Sequence, residues 1–331
     1  MKLTRIVTAL AASSVFSFTS ISMAQAEQLK VLSSFTIIGD MVQNVGGEHV
    51  AVSNLAGHGV DLHHFEPKPS NIKKFTDDDG VKLLFINGLE LEPWIESIKD
   101  SSGFKGETIV VSEGVKAIKF ADIHGNDHED EHDDHGDEHT DDHHDHHEHD
   151  DAHDQHDHGE WDPHAWQNPL NAVVYVENIL KALKVADPDN AKAYEENAAN
   201  YVTEIKKLND ETKQAFAALP EEKRRFATNH EAFAYLADAY DLTQIPVSGV
   251  GGAEPSAAQV AEVIEGLKEH KVGAVFFENT TNNRLIEQVA RDSNVKIGGT
   301  LVADALEKEG EGSTYLGMVK KNTTTLLEAL K

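Results

Sequence analysis

The sequence predicts an α/β protein of two lobes, each with a mainly parallel sheet flanked by helices, joined by a long linker helix. Strand-like and helix-like segments alternate along most of the chain, which is typical of parallel sheets with helical crossovers. An acidic run rich in histidine interrupts this alternation at residues 122–160. A polar helical segment of about 30 residues, roughly 45 Å long, then separates the two alternating parts.

The first alternating part begins at Gln28. Apolar segments bounded by turn residues predict strands, and apolar residues at spacings of three and four predict helices. We therefore expect an N-terminal lobe over residues 27–187. Its predicted strands cover residues 29–35, 50–56, 81–88 and 107–113, and its predicted helices cover 36–47, a segment opened by Pro69, 91–100 and 168–188.

The second alternating part follows the long polar segment. We expect a linker helix over residues 188–219, because a helix so long and so charged suits a strut between lobes better than a core element. A C-terminal lobe over 220–331 follows, and ligands of such open sheets bind at the carboxyl ends of the strands. Its predicted strands cover 224–230, 242–248, 272–279 and 295–302, and its predicted helices lie near 231–240, 256–269, 283–292 and 313–329.

The first 26 residues have the pattern of a secretory signal peptide. Lys2 and Arg5 precede an apolar stretch, and Ala24–Ala26 fits a small-x-small cleavage site. The chain contains no cysteine, which excludes a disulfide framework and a lipid-modified N-terminal cysteine. We therefore expect a mature chain that begins near Glu27 and is soluble in an exported compartment, most simply a bacterial periplasm.

The acidic run is the most unusual segment of the chain. Residues 122–160 contain thirteen histidines and eighteen carboxylates, with no Lys or Arg. A segment so poor in apolar side chains cannot offset the entropy of ordering, so we expect a solvated, disordered loop. Imidazoles and carboxylates are ligands of transition metals, and the densest cluster offers weak sites at His143, His144, His146, His147 and His149. The formal net charge of -29 excludes a nucleic-acid partner.

Four residues outside the acidic run share one kind of position, just beyond a strand or at the start of a helix. A set of three imidazoles and one carboxylate suits four-coordinate Zn²⁺. A single histidine is more often a structural hydrogen-bonding residue, so the prediction depends on their joint occurrence. Spacing alone also leaves open whether His63 or its neighbour His64 points inward. The four residues are His63, His164, His230 and Asp304.

Catalytic chemistry is not indicated. Catalytic zinc sites keep an open position for water, whereas this set offers four protein ligands. His230 and Glu231 begin like the HExxH motif of zinc proteases, but Ala234 stands where the second histidine is required. We therefore predict a binding protein and not an enzyme.

Six short motifs stand out along the mature chain. They are Asp61–Pro67, Asn87–Trp94, Asp162–Trp166, His230–Tyr235, Glu254–Ser256 and Ala303–Leu306. Together they make the chain resemble the zinc- and manganese-type solute-binding proteins of ABC transporters, known as cluster A-I. Within that family it is most similar to the periplasmic zinc binders of the ZnuA and AztC type. The first motif departs from the common pattern of the family by carrying Leu62 where proline is usual.

The resemblance implies a periplasmic receptor that delivers Zn²⁺ to an ABC permease and its ATPase. By that resemblance His63, His164, His230 and Asp304 are the ligands, while His64 falls on a variable position and is an accessory candidate. Manganese binders of the family tend to carry a carboxylate where this chain has His230. Two alternatives stay open: a periplasmic zinc buffer that stores metal in the acidic run, and the same receptor serving Mn²⁺. We expect a monomer, with a zinc metallochaperone as a further candidate partner.

Overall fold

A computed structural model describes residues 27–76, 80–120, 159–248 and 255–331. Its first sheet has the strand order β2-β1-β3-β4, and all neighbouring strands are parallel. The order changes direction beside β1, so the carboxyl ends of β1 and β3 flank a crevice of the kind that binds ligands. The strands are β1 (Leu29–Ser33), β2 (Val50–Asn54), β3 (Leu83–Ile86) and β4 (Glu107–Val110).

The second sheet repeats this topology with the strand order β6-β5-β7-β8, again parallel throughout. Here the carboxyl ends of β5 and β7 flank the equivalent crevice. The strands are β5 (Arg225–Thr228), β6 (Thr243–Pro246), β7 (Ala274–Glu278) and β8 (Ile297–Leu301).

Nine α-helices flank the sheets within the described residues. Those of the first part are α1 (Thr36–Gly46), α2 (Pro69–Thr76), α3 (Ile95–Ser102) and α4 (Pro169–Ala186). The long helix α5 (Ala191–Ala217) follows. Those of the second part are α6 (Ala234–Tyr240), α7 (Ala257–Glu269), α8 (Arg284–Ser293) and α9 (Tyr315–Leu330).

The long helix α5 does more than separate the sheets. Its buried residues recur every three or four positions along 27 residues, although the helix is polar overall. Tyr194 and Ile205 pack in the core of the first sheet, and Phe216 packs in a core of the second. Thus α5 spans both parts and contributes to the core of each, contrary to its interpretation as a simple strut.

The core of the first sheet also extends into the second part of the chain. Tyr235, Leu306, Tyr315 and Met318 are all buried in it, although the chain reaches them only after α5. Apolar area shared in this way resists wide separation of the two parts.

The predicted fold class is confirmed: two parallel four-stranded sheets flanked by helices, with a long helix between them. The lobe limits at 27–187, 188–219 and 220–331 stay predictions. The signal peptide and the five weak histidine sites of the acidic run lie outside the described residues. Over the ranges that are described, none of the helices has the length and apolar character needed to cross a bilayer.

Candidate metal centre

Four side chains meet where the carboxyl ends of the two sheets face each other. His63, His164, His230 and Asp304 each offer one ligand atom, and these atoms all lie within 4.8 Å of one another. His63 Nε2 lies 3.1 Å from His164 Nε2. The two carboxylate oxygens of Asp304 lie 3.5 Å from His164 Nε2 and 3.5 Å from His230 Nε2, respectively. The structure therefore brings together all four of the residues that the sequence singled out.

His63 lies in the loop between β2 and α2, and Asp61 folds that loop. Asp61 Oδ1 accepts the backbone N–H groups of His63 at 3.0 Å and of His64 at 3.4 Å. Leu62, at the unusual position of this motif, is buried in the first core and anchors the turn. The turn aims the neighbouring imidazoles differently: His63 faces the cluster, whereas the exposed His64 ring contacts Asp61 Oδ2 at 2.9 Å.

His164 precedes a short 3₁₀ turn at the start of α4, and Asp162 orients its ring. Asp162 Oδ1 accepts the backbone N–H of His164 at 2.9 Å and faces its Nδ1 at 2.7 Å. An imidazole held through Nδ1 presents Nε2 as the ligand atom. Both side chains are completely buried.

A buried network below this loop fixes the residue before His164. Asn87, the first residue after β3, donates its side-chain amide to the carbonyl of Pro163 at 2.9 Å. Glu92 in turn holds the turn at Asn87, because its carboxylate accepts the backbone N–H groups of Asn87 and of the next residue at 2.7 and 3.0 Å. This is the structural role of the Asn87–Trp94 motif, for which sequence reasoning offered none.

His230 follows β5, and its partner Glu278 is the last residue of the adjacent strand β7. Glu278 Oε1 accepts the backbone N–H of His230 at 2.9 Å, and Glu278 Oε2 makes a close ion pair with His230 Nδ1. The arrangement mirrors that of Asp162 and His164 in the other part. Each of the two imidazoles is therefore oriented by a buried carboxylate.

Asp304 lies in the loop after β8, and two neighbouring segments hold that loop. Asn279 accepts the N–H of Ala303 at 3.1 Å and donates to the carbonyl of Ala305 at 2.7 Å. The indole N–H of Trp166 donates to the carbonyl of Ala303 at 3.1 Å, which ties the Asp304 loop to the His164 loop.

Burial and charge set the protonation of the site. Burial lowers the pKa of His63 to about 3 against the attraction of Asp304, and lowers the pKa of His164 to about 3. Burial also lowers the pKa of His230, but the attraction of Glu278 and Asp304 outweighs it and raises the pKa to about 10. Burial raises the pKa of Asp162 to about 7. In the metal-free protein at neutral pH, two imidazoles are therefore neutral and His230 is protonated.

The geometry fits a four-coordinate cation. Tetrahedral bonds of about 2.0–2.1 Å place ligand atoms roughly 3.3–3.4 Å apart. Three of the separations, 3.1 Å between His63 and His164 and 3.5 Å from Asp304 to His164 and to His230, bracket that value, and all four ligand atoms lie within 4.8 Å of one another. His230 Nε2 and Asp304 Oδ1 are buried and have no hydrogen-bond partner among the described residues, as expected for atoms aimed at an ion.

Asn87, Asp162 and Tyr235 lie in the motifs singled out above, but no role was predicted for them, and Glu278 was not singled out at all. Asp162 could have been found from its position two residues before a ligand, since metal-bound histidines usually donate Nδ1–H to a carboxylate. Glu278 carried a weaker signal, a carboxylate ending the apolar strand Ala274–Glu278.

Comparisons with known proteins find proteins that bind metal ions. The family described as ZnuA, zinc-uptake complex component A periplasmic, matches residues 31–329 of the chain. The manganese ABC transporter substrate-binding lipoprotein PsaA of Streptococcus pneumoniae is 29% identical over 317 residues, covering 93% of this chain and 91% of PsaA. The iron-binding protein YfeA of Yersinia pestis is 30% identical over 309 residues, covering 91% of this chain and 86% of YfeA.

Among solved structures, the periplasmic zinc-binding protein TroA of Treponema pallidum has the same fold. It superposes with a TM-score of 0.76 over 92% of this chain and 99% of TroA, at 22% sequence identity. The names of these three proteins specify manganese, iron and zinc, so similarity alone leaves the metal open.

Proposed function

We propose that this chain, which belongs to the ZnuA family of periplasmic components of zinc-uptake complexes, binds Zn²⁺ tightly and delivers it to an ABC importer. At the level of the family, it is a substrate-binding protein for a metal and not an enzyme. The observation that carries the proposal is the convergence of His63, His164, His230 and Asp304 within 4.8 Å. Each histidine would supply one nitrogen and Asp304 one or two oxygens.

The donor set supports zinc as the metal. Three imidazoles and one carboxylate suit Zn²⁺, whereas the harder Mn²⁺ favours oxygen ligands. A manganese receptor is the second candidate, because relatives such as PsaA are named for manganese.

Delivery requires the buried site to open. His164, His230 and Asp304 are buried and His63 is partly so, which excludes water and slows release in solution. The apolar core shared between the two parts of the chain opposes wide hinge bending. We therefore propose that docking on the permease loosens the site through movement of a ligand-bearing loop, the His63 loop between β2 and α2 being the most exposed.

We propose that the acidic run captures zinc loosely and raises its concentration near the site. The residues that flank the run pair with each other immediately before His164, through Asp162 N–H to the Ile118 carbonyl at 2.9 Å. The composition of the run predicts a solvated chain, and flexible-chain scaling for about 35 residues gives a span of roughly 30–35 Å, enough to reach the mouth of the site. Imidazoles bind metal only when neutral, so capture fades as the pH falls through the ordinary histidine range near 6.5.

We also propose that residues 1–26 are a signal peptide and that the mature protein acts in the periplasm as a monomer. Its partners there would be the cognate permease and ATPase of the importer. A metallochaperone that loads the site would be a third partner.

Zinc titration against a competing chelator tests the central proposal. The mature chain is compared with a variant that lacks residues 124–158 and with a His164→Ala variant of the full mature chain. One tight zinc should survive the deletion, whereas His164→Ala should weaken its binding about a hundredfold to a thousandfold. If the deletion abolishes tight binding, the metal is held by the acidic run and the protein is a zinc buffer. A parallel titration with Mn²⁺ should give much weaker binding, and preferential binding of Mn²⁺ would establish the manganese receptor.

Capture by the run is tested separately by transfer kinetics. Its thirteen histidines are replaced by asparagine, which keeps length and carboxylates unchanged. Zinc loading from a chelator that leaves little free metal should slow at pH 7.5, while the equilibrium affinity of the tight site stays the same. Equal loading rates in the two proteins would contradict the capture role.

A further inference from the structure

Tyr235 joins two segments that the chain separates widely. It lies at the start of α6, five residues after His230, yet its side chain is buried in the core of the first sheet with an exposed fraction of only 2%. Its hydroxyl accepts the backbone N–H of Ile118 at 3.0 Å and donates to the carbonyl of Asp162 at 2.8 Å. One hydroxyl thus binds two backbone segments of the first part of the chain.

The two segments that Tyr235 binds form a short antiparallel neck, defined as residues 118–120 and 160–162. Asp162 N–H donates to the Ile118 carbonyl at 2.9 Å, and Phe120 N–H donates to the Glu160 carbonyl at 3.3 Å. These two hydrogen bonds flank Lys119 and Trp161, which face each other as an antiparallel bridge pair. The neck leads directly into the ligand loop, because the carboxylate of Asp162 orients the ring of His164.

An open pocket of about 500 Å³ adjoins the neck at Ile118. Residues from both parts of the chain line it, including Lys116, Ile118, Asn171, Tyr235 and Gln244. Where side chains do not fill the space around a short pairing, its hydrogen bonds decide its position. The hydroxyl of Tyr235 is therefore well placed to control where the neck, and with it Asp162, lies.

We propose that Tyr235 is a positioning residue of the metal centre, a role that rests on the function proposed above. Burial fixes its ring, and its backbone lies on α6, which directly follows the loop that carries His230. Its hydroxyl consequently sets the separation between the His164 loop and the His230 loop. The tie between Trp166 and Ala303 does the same for the Asp304 loop, so His164 is held against each of the two ligands from the second sheet.

The substitution Tyr235→Phe isolates this role. It keeps the buried ring and removes both hydrogen bonds to the neck, so the fold is retained while Asp162 gains freedom to move. Substitutions of outer groups that orient metal ligands typically weaken affinity about 10–100-fold. We expect zinc affinity to fall by about tenfold, with the loss in a faster dissociation rate and the association rate nearly unchanged.

Tyr240→Phe is the matched control. Tyr240 lies on the same helix, is also buried, and its hydroxyl donates to Asn209 Oδ1 at 3.2 Å, away from the ligand loops. Four quantities are measured in the wild type and both variants. They are zinc affinity, zinc dissociation rate, the melting temperature of the metal-free protein and amide exchange at Ile118. Only Tyr235→Phe should speed zinc release and Ile118 exchange, while the two variants should lower the melting temperature by similar amounts.

Two results would overturn the role of Tyr235, and a third would overturn the proposed function. One is a zinc dissociation rate in Tyr235→Phe within about twofold of wild type, which is the scatter expected of a neutral substitution. Another is an equal loss of affinity in Tyr240→Phe, which would reduce the effect to general stability. A wild-type protein that binds no zinc tightly would instead contradict the proposed function itself, and Ile118 exchange would still report whether the hydroxyl holds the neck.

Discussion

His164 from the first part of the chain and His230 from the second are both buried, and a carboxylate faces Nδ1 of each ring. Their protonation is nevertheless opposite. Burial lowers the pKa of His164 to about 3, whereas Glu278 and Asp304 overcome burial and raise the pKa of His230 to about 10. The carboxylate beside His164 differs as well, because burial raises the pKa of Asp162 to about 7.

The difference shows that an empty metal centre is not a uniform set of ligands. The side formed by His63 and His164 is neutral and ready to coordinate, while the side formed by His230 carries a proton between two carboxylates. A cation that enters must displace this proton, and it then takes over the role of countercharge to Glu278 and Asp304. In the metal-free protein the proton on His230 therefore balances the negative charge of the second side, and the bound metal balances it afterwards.

Replacing His164 or His230 by alanine should give the largest loss of zinc affinity, and the two variants should differ in the stability of the metal-free protein. Four-ligand structural zinc sites in zinc-finger peptides contribute about 10–16 kcal/mol. On that scale the loss of one ligand in four costs roughly 3–4 kcal/mol, or about a hundredfold to a thousandfold in affinity. We expect this loss in both His164→Ala and His230→Ala, measured by chelator competition.

The metal-free proteins should differ. His230→Ala leaves the buried carboxylate of Glu278 without its imidazolium partner, which typically costs about 3–5 kcal/mol. His164→Ala removes a neutral ring and should destabilise the metal-free protein less, as measured by urea unfolding in the presence of a chelator. Equal losses of unfolding free energy would show that the two sides are electrostatically alike.

Neutral substitutions of the two orienting carboxylates sharpen the comparison. Glu278→Gln and Asp162→Asn should each weaken zinc affinity by about 10–100-fold at pH 9. For Asp162→Asn the loss should shrink as the pH falls below about 7, because Asp162 is itself protonated there in the metal-free protein. For Glu278→Gln the loss should also shrink at lower pH, because His230 without Glu278 holds its competing proton less tightly.

The number of protons released on zinc binding measures the protonation of His230 directly. His230 is protonated at about pH 8.5 in the metal-free protein, whereas Asp162 and ordinary exposed histidines are not. Zinc binding should then release about one proton, and log affinity should rise by about one for each pH unit between roughly 7 and 10. Calorimetry in buffers of different ionisation enthalpy, on the variant lacking residues 124–158, measures this number. Glu278→Gln in the same background should release clearly less than one proton.

The four candidate ligands could be predicted from the sequence. The roles of Glu278 and Tyr235 could not, because each lies far along the chain from the residues that it contacts. The four candidate ligands each follow a strand or open a helix, and the topology of parallel sheets brings such positions together. The contact of Glu278 with His230 arises because β5 and β7 are neighbours, which sequence spacing does not reveal. Tyr235 was part of a motif, but its hydroxyl acts across the boundary between the two parts.

The long helix shows the same limit in the fold. Its polar composition favoured a strut, whereas the structure buries seven of its side chains at helical spacing. A narrow apolar stripe in a polar helix is hard to see in composition, because one buried residue in four hardly changes the average. The partners that cover the stripe lie in both cores, far away in sequence.

The smallest expected effect concerns the two neighbouring histidines of the first motif. His63 faces the cluster, whereas the ring of His64 is exposed and bound to Asp61. His64→Ala should change zinc affinity by less than about twofold, because an exposed imidazole paired with a carboxylate contributes little to a buried site. His63→Ala, the matched variant one residue away, should lose affinity as His164→Ala does. A loss of tenfold or more in His64→Ala would mean that the loop turns on metal binding and brings His64 to the ion, so that the neutral side of the site offers three imidazoles instead of two.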